Sequence, residues 1–591
     1  MKKLICVLLV FGLVLPLSAQ EATTNWSLGV AGNYTAFGDG YIPKVAEYKY
    51  YKDGFFPEMK FNWNRYNGMN KIQLNGAYYN PKEMLFGGDF RLGKSVLADV
   101  SYKSFYRNTQ LDLLENISAR ESLNREGTAP GGKILSHEIQ NPNEQLGYQR
   151  QEIEANLKFL LPGDKITLRA SHRTIMEDGK MQHVQNMHCA SCHLVSRPLD
   201  VKNKTQSLTA GLDAALGVAD LSYEVNVRKF ISDAGPYSAY YDSAGHPGRG
   251  YIWTDPNTGA TSNYYVEFGS RLVYHGEDVA IAAYPETNKL SHKITAKSNI
   301  GKGRLLLQYQ NTTLTNDAQL ADPNVTITGD LKVTANNLNG NYSTPLMENT
   351  KLILAGKYRR LENEDLSIDN PDWRDNRPGG DIDLDYIRYS SLTRTDLEGS
   401  AKVIYQPKRS YRLTALLGFN SVERDNFPIE GANFKTDKTM FELGVRYRPT
   451  GKFTGDLKYG LENIDNPFSP VDQMFEMYGR GTLMPTTGAP NVYYWQRDDL
   501  RYGNISNMPA MVHNIKATVK VQPNKKVKLD VGLNLKKGSN DTQKELDFQQ
   551  TTMAPNLGLT LIPNDKVNFF ANYTYVKQTQ NGLAAVALMD G

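Results

Sequence analysis

Segments in which apolar and polar residues alternate with a period of two recur along most of this chain. From Val527 to Leu535, the odd-numbered residues are apolar and the even-numbered ones are Lys, Asp, Gly and Asn. A similar alternation runs through 411–420 and 567–575. Because successive side chains of a β-strand point to opposite faces, this period predicts strands with one apolar and one polar face. Their length matches the roughly 9–11 residues with which a tilted strand crosses a bilayer.

Short turns that begin with proline join many of these segments. Proline sets φ at the first corner, and Asn, Asp or Gly tolerates a left-handed position, so each turn predicts a hairpin. The five turns are Pro162–Lys165, Pro407–Ser410, Pro449–Lys452, Pro523–Lys526 and Pro563–Lys566. Long polar stretches lie between them, near 107–148, 175–204, 231–287, 363–392 and 464–510. Short turns at one end and long loops at the other are typical of outer-membrane β-barrels.

The predicted fold is therefore all-β, a large antiparallel transmembrane barrel of about 20–26 strands. A count along the chain gives about 21 strands, whereas single-chain bacterial barrels have an even number, and the tail 581–591 lacks a strand pattern. C-terminal closure of the barrel is therefore left open. A soluble propeller or β-helix shares the alternation, but no motif of 40 or of six residues repeats here.

Composition and charge agree with a barrel. Only 40% of the residues are apolar, and the chain has 35 Tyr and 21 Phe, which suits alternating strands around a polar lumen. Mean hydropathy is −0.50, which is low for a helical membrane protein. The net charge of +4 comes from 67 basic and 63 acidic residues in mixed order, which argues against a nucleic-acid partner.

Residues 1–19 have the pattern of a secretory signal peptide. Lys2 and Lys3 precede an apolar run that is too short to span a membrane as a helix, and small residues follow it. The mature chain is expected to be one outer-membrane barrel over 20–591, in contact with outer-membrane lipid. Removal of the signal peptide takes Cys6 with it and leaves two cysteines.

Those two cysteines belong to the sequence Cys189-Ala-Ser-Cys192-His193, within the predicted loop 175–204. Cys-x-x-Cys-His is the attachment pattern of c-type haem. Two thiols three positions apart form thioethers with the haem vinyl groups, and the adjacent histidine then reaches the iron. We expect one covalent haem c, bound through Cys189 and Cys192, with His193 as the proximal iron ligand.

The distal iron ligand is less constrained by the sequence. His183 is the first candidate, while Met181 and Met187 would raise the reduction potential relative to histidine. His188 directly precedes Cys189, so its side chain would struggle to reach the opposite face of the same haem. His172 shares the parity of Ile166, Leu168 and Ala170, which places it on the lipid-facing side of its strand.

Two other interpretations of the motif stay open. In an oxidising compartment, Cys189 and Cys192 can form a disulfide. Alternatively, the two cysteines and two of His183, His188 and His193 offer suitable ligand types for a structural zinc site. The histidine directly after the second cysteine favours haem. If the short turns face the periplasm, strand parity places the motif at the extracellular mouth.

The signal peptide, the hairpins with Pro-x-x-Lys turns and the Tyr- and Asn-rich loops together resemble the MtrB/PioB family of outer-membrane barrels, roughly over 25–577. Several members of that family carry an N-terminal Cys-x-x-Cys, whereas the cysteines here lie mid-sequence and are followed by His193. The family's cysteines are therefore not transferred to this chain. The short C-terminus is a second departure.

The resemblance implies a sheath around a periplasmic multihaem c-type cytochrome, with an extracellular cytochrome as a second candidate partner. In this hypothesis the chain is a non-enzymatic part of an electron conduit across the outer membrane, with its own haem near one mouth. The alternative is a diffusion porin with a disulfide or zinc site in one loop. A soluble-phase electron-transfer cytochrome is disfavoured by the amount of barrel around one motif.

Overall fold

The computed structural model describes residues 22–36, 47–48, 50, 53–109, 111–114, 136–186, 193–241, 252–254, 261–263, 277–281, 283–318, 325–374, 381–389, 392–424, 435–467, 474–479, 492–494, 508–541, 548–564 and 566–582. These residues form 32 strands and no helix. The described part of the chain therefore contains no helix that is long and apolar enough to cross a membrane. The predicted signal peptide, 1–19, and residues 583–591 of the tail lie outside the described residues.

One large sheet contains 23 of the strands. Most of its strands pair in antiparallel orientation, and one short strand pairs in parallel. Its first part comprises β1 (Thr23–Thr35), β2 (Gly54–Asn67), β3 (Asn70–Asn80), β4 (Glu83–Leu92), β5 (Val96–Asn108), β6 (Ser136–Ile139), β7 (Gly147–Leu160), β8 (Ile166–Asn186), β9 (His193–Ala215) and β10 (Ala219–Ser232). This count falls within the predicted 20–26, and β6 is a strand that the sequence did not predict.

Between β10 and the next strand of the large sheet lie four short strands. They form two separate pairs, β11 (Tyr237–Tyr241) with β14 (Glu277–Ile281), and β12 (Ile252–Thr254) with β13 (Thr261–Asn263). The large sheet resumes with β15 (Thr287–Ile300) and β16 (Gly303–Asn316). The predicted loop 231–287 therefore contains regular structure of its own.

A five-stranded sheet is built largely from two other predicted loops. It comprises β17 (Thr326–Thr328), β20 (Leu366–Arg374), β21 (Asp381–Tyr389), β26 (Met474–Gly479) and β27 (Val492–Tyr494). The remaining strands of the large sheet are β18 (Lys332–Met347), β19 (Thr350–Asn363), β22 (Arg394–Lys408), β23 (Tyr411–Glu423), β24 (Lys435–Thr450), β25 (Phe453–Asp465), β28 (Met511–Asn524), β29 (Val527–Asn540), β30 (Phe548–Asn564), β31 (Val567–Thr574) and β32 (Lys577–Asn581). The stretches 363–392 and 464–510 are thus partly strand.

The chain divides into two compact units. The first contains 1–113, 141–183 and 198–212, and the second contains 114–140, 184–197 and 213–591. In the first unit β1 to β5 pair in sequence order, and β5 then pairs with β7 and β7 with β8. In the second unit β15 pairs with β16 and the up-and-down order continues through β18, β19, β22, β23, β24, β25, β28, β29 and β30 to β31.

Register confirms the predicted two faces. Across neighbouring strands of the second unit, Leu413 pairs with Val445, Val445 with Leu457, and Leu457 with Ala517. Leu413, Val445 and Leu457 are 41–53% exposed, although they are apolar. We call this side of the large sheet the apolar face and the opposite side the polar face. Because neighbouring strands are in register, each face is continuous from strand to strand.

The turns differ in part from the predicted mechanism. In the turn that starts at Pro162, Gly163 and Asp164 have φ of 92° and 55°, as a left-handed position requires. Asn524 and Asn564, by contrast, do not have a positive φ. Their side-chain Oδ1 atoms accept hydrogen bonds from the amides of Lys526 (2.8 Å) and Lys566 (3.0 Å). In these two turns asparagine closes the chain with its side chain and not with its backbone conformation.

Candidate functional site

The predicted haem motif lies between the ends of two long strands. β8 extends for 21 residues to Asn186, and β9 begins at His193. Cys189 and Cys192 lie in 187–192, outside the described residues, together with Met187 and His188. The predicted loop 175–204 is therefore strand over 175–186 and 193–204. The two-residue alternation fades there, which is why the sequence suggested a loop.

The backbone of His193 is held by strand pairing. Ser136 of β6 pairs with His193, in parallel register, and the amide of Gln140 donates to the carbonyl of Ser196 at 2.7 Å. Val195 and Ser196 are only 1% and 0% exposed. The segment that follows the predicted proximal ligand is thus among the most buried of the described chain, although it lies within the predicted loop 175–204.

Arg197 adds a second attachment for the start of β9. Its guanidinium lies over the ring of Tyr237, 5.1 Å from the ring centroid, a cation–π contact. Burial raises the pKa of the Tyr237 hydroxyl, and Tyr284 raises it further, while the charge of Arg197 opposes the shift. No local pattern predicts this contact, because the two residues lie 40 positions apart.

His183, the first candidate for the distal ligand, lies on β8 and is half-buried. Its neighbour Gln182 is fixed by two hydrogen bonds, accepting from the amide of Asp112 (2.7 Å) and donating to the carbonyl of Asp112 (2.8 Å). Because side chains alternate along a strand, His183 and Met181 project to the side opposite Gln182. Both candidates therefore share one side of β8, close to its last residue.

His172 lies where parity predicted it. It pairs with Ala155 of β7, on the apolar face, and its Nε2 is hydrogen-bonded to the hydroxyl of Thr174 at 2.9 Å. Within the part of the chain that the structure describes, no group of three or more His, Cys, Asp or Glu side chains is arranged to hold a metal ion.

The part of β8 that precedes the motif in sequence is held by contacts with β7 and with the residues before it. Lys180 Nζ of β8 donates to Oε1 of Glu144 at 2.6 Å. Gly179 has a φ of 155° and lies directly opposite Tyr148. A Cβ at Gly179 would collide with backbone atoms of Gly147 and Tyr148. Glycine is thus required for the close approach of β7 and β8 at this level.

The polar face carries ion pairs between neighbouring strands. In the first unit Arg150 Nη1 contacts Glu177 at 2.6 Å, and Arg173 Nη2 contacts Glu152 at 2.5 Å. In the second unit the pairs include Lys357–Glu398 (2.9 Å), Arg359–Asp396, Lys458–Glu442 (3.1 Å) and Arg446–Asp456 (2.5 Å). Opposite charges placed across strands stabilise their register. The polar face is therefore charged and ordered.

The apolar face has the properties of a lipid-contacting surface. Leu417, Leu457 and Leu533 are 62%, 53% and 38% exposed, and Tyr411 and Tyr447 lie together near a short turn with ring centroids 4.6 Å apart. An apolar band bordered by aromatic residues is what strands present to a bilayer in outer-membrane proteins. The chain is a protein of the outer membrane, as the sequence predicted.

Neither a family model nor a curated protein matches the chain. Solved structures with a similar fold include the ferric-catecholate import receptor Fiu from E. coli K12 (12% identity, 93% of this chain and 76% of that chain, TM-score 0.38). Two others are the siderophore receptor PiuA from Acinetobacter baumannii (12%, 95% and 79%, 0.36) and the copper transporter OprC (9%, 96% and 73%, 0.39). At such identities and TM-scores these likenesses assign no function to this chain.

The comparisons correct several predictions. The solved structures that resemble the chain are described as ferric-siderophore receptors and a copper transporter, and no MtrB/PioB family model matches. The assignment to the MtrB/PioB family is therefore wrong, and so are the electron conduit, the diffusion porin with a disulfide or zinc site, and the multihaem and extracellular cytochrome partners. The resemblance rested on alternating strands, short turns and long loops, which outer-membrane barrels share in general, and not on a common motif.

Proposed function

We propose that this chain is an outer-membrane transport barrel in which the polar face of the large sheet lines a passage for solute. One observation carries the proposal: ion-paired charges occupy one face of the strands and exposed apolar side chains the other. A sheet can span a bilayer only when it closes on itself, because open strand edges leave backbone groups unpaired in lipid. Closure would turn the polar face inward.

Selective passage is favoured over free diffusion by the order of the polar face. Lys357, for example, donates from Nζ to Oε1 of Glu398 at 2.9 Å, and the two side chains are 36% and 44% exposed. Charges held in place across strands present a fixed electrostatic pattern to a solute. We therefore expect the barrel to distinguish solutes by charge and not by size alone.

Release of solutes from liposomes tests the transport proposal. The purified protein is reconstituted into phosphatidylcholine liposomes that contain a neutral sugar, an organic anion or an organic cation of similar size. We expect release of at least one charged solute to exceed that from liposomes with heat-unfolded protein and to saturate with concentration. Release no faster than the unfolded control, or unsaturable release governed by size alone, would contradict selective transport.

We further propose that the chain carries one covalent haem c at the connection between β8 and β9. Cys189 and Cys192 would form the thioethers and His193 would bind the iron, with His183 as the candidate distal ligand. The support from the structure is local: strand β6 and the buried residues Val195 and Ser196 fix the backbone next to His193. When bound, a c-type haem supplies a one-electron couple.

The haem proposal is tested independently of transport. The chain is produced in cells with c-type haem maturation, denatured and stained for haem, since thioether-linked haem survives denaturation. We expect staining of the wild type and of the matched control Ser191→Ala, and none of the double variant Cys189→Ser, Cys192→Ser. An unstained wild type would refute the haem assignment. A His183→Ala variant with an unchanged visible spectrum would exclude His183 as distal ligand.

A further inference from the structure

A cluster of basic side chains lies on the polar face at the short-turn ends of β22 to β28. It surrounds a pocket of about 290 Å³ to which Gln406, Ser410 and Thr454 also contribute. The pocket is lined by five basic residues and by a single carboxylate: Arg409, Arg412, Arg446, Arg448 and Lys520, with Asp456. We call these five residues the turn-end basic cluster.

The acidic neighbours neutralise only part of this cluster. Asp456 contacts Arg446 through both carboxylate oxygens, at 2.5 and 3.4 Å. Asp530 lies 3.9 Å from Lys520 but also binds Lys528 at 3.0 Å. Among the described residues, no ion pair is formed by the other three members, Arg409, Arg412 and Arg448. Three exposed guanidinium groups therefore share one pocket without a carboxylate partner.

Strand register places two arginines of this pocket side by side. Arg412 of β23 lies directly opposite Arg446 of β24. Like charges that face each other across strands destabilise the sheet. The adjacent pair on the apolar face, Tyr411 and Tyr447, shows no such conflict. An anion in the pocket would remove the repulsion, since guanidinium groups bind phosphate and carboxylate oxygens in a bidentate manner.

We propose that the turn-end basic cluster is a binding site for a small phosphate-bearing anion, which names the solute class of the transport barrel proposed above and rests on that proposal. The pocket volume lies near the lower end of the range for ligand sites and suits a compact group. The hydroxyls of Ser410 and Thr454 line the same pocket as potential donors to phosphate oxygens. Arg412 of β23, Arg448 of β24 and Arg409 of the turn before β23 supply the charge that no carboxylate offsets.

The test uses the full protein in nanodiscs of phosphatidylcholine, with inorganic pyrophosphate as the probe, followed by isothermal titration calorimetry. We expect saturable binding to the wild type. In Arg412→Gln and in Arg448→Gln the dissociation constant should be roughly 10- to 100-fold larger, as for the loss of one charged hydrogen bond. The matched control is Arg304→Gln, which removes an arginine of the polar face beside another short turn, outside the pocket.

Three outcomes decide the site. Binding that weakens in both cluster variants and changes less than about twofold in Arg304→Gln supports it. No binding to the wild type at millimolar pyrophosphate, or equal weakening in all three variants, overturns it, since equal weakening would reflect net charge alone. All three variants must show the heat-modified gel mobility of the folded wild type, so that unfolding is not mistaken for loss of binding.

Two further measurements distinguish a lipid headgroup from a soluble anion, and failure of the binding site from failure of the transport proposal. If nanodiscs with phosphatidylglycerol block pyrophosphate binding, the phosphate chemistry of the site is supported and its natural source is a lipid headgroup. Unchanged binding supports a soluble anion. Liposome release is measured on the same preparations: selective release of another charged solute without pyrophosphate binding refutes the site but keeps the transport barrel. Pyrophosphate binding without any solute release refutes the transport barrel instead.

Discussion

The hydroxyl of Tyr459 lies 2.9 Å from Nδ1 of His513 across β25 and β28, on the apolar face. The same diagonal arrangement joins Tyr223 to Nδ1 of His292 at 2.8 Å across β10 and β15. In both cases the histidine pairs with the residue two positions after the tyrosine. A histidine of the apolar face is thus supplied twice with a tyrosine hydroxyl as its hydrogen-bond partner.

Replacing Tyr459 with phenylalanine should destabilise the fold by about 1–2 kcal/mol, because Nδ1 of His513 loses its partner beside lipid. Urea unfolding in phosphatidylcholine vesicles, followed by tryptophan fluorescence, measures the effect. Tyr358→Phe is the matched control, since Tyr358 lies on the same face and its hydroxyl forms no hydrogen bond within the described part of the chain. Equal losses in the two variants would show that the Tyr459–His513 contact contributes nothing specific.

Among the carboxylates of the polar face, Asp396 should be the one whose replacement most reduces the free energy of unfolding. Its side chain is 3% exposed and contacts Arg359, and Arg394 Nε lies 3.4 Å from its Oδ1. Asp396→Asn leaves both arginines without a carboxylate, so we expect a loss of roughly 1–3 kcal/mol of unfolding free energy. Glu398→Gln, two residues along the same strand, removes an exposed ion pair and should cost less than about 1 kcal/mol. The same unfolding assay would contradict this ranking if the two losses were alike.

Asn524 should contribute to hairpin closure through its side chain. Its Oδ1 accepts hydrogen bonds from the amides of Lys526 (2.8 Å) and Val527 (3.0 Å). Asn524→Ala should therefore cost about 1 kcal/mol, whereas Asn524→Asp keeps the acceptor and should restore most of it. Refolding into vesicles, monitored by the gel mobility of the folded form, gives the measurement. If Lys525→Ala in the same turn has an equal effect, general sensitivity of the turn explains the result.

Gly179→Ala should disrupt the pairing of β7 with β8 around Gly179 and Tyr148. The new Cβ would overlap the backbone of Gly147 and Tyr148, and φ of 155° is unfavourable for alanine, so we expect a cost of roughly 1–3 kcal/mol. Hydrogen exchange of the amides in 144–183 should accelerate. Gly455→Ala is the control, because its Cβ would meet only Phe453 side-chain atoms at 3.5 Å or more. Unchanged exchange in Gly179→Ala would show that the strands can separate without loss.

Local sequence patterns predict some of the strands and miss others. The alternation at 527–535 predicted β29 and its two faces correctly, and the proline turn at 523–526 marked the preceding hairpin. The segment Asp381-Ile-Asp-Leu-Asp385 also alternates, and that signal could have identified β21, but its acidic residues suggested a solvated loop. β6 has only four residues and pairs with a strand more than 50 positions away, so no local pattern could reveal it.

The local pattern by itself determined that this chain forms two-faced strands, where most of its hairpins turn and which side chains share a face, because side-chain direction alternates with every residue. The proposal of a haem also starts from this local sequence, the five consecutive residues 189–193. Only the tertiary structure decided that Arg412 faces Arg446, that Ser136 holds His193 and that predicted loops join in a sheet of their own. These relations depend on register between segments distant in sequence, which is set by the packing of whole strands and not by any local pattern.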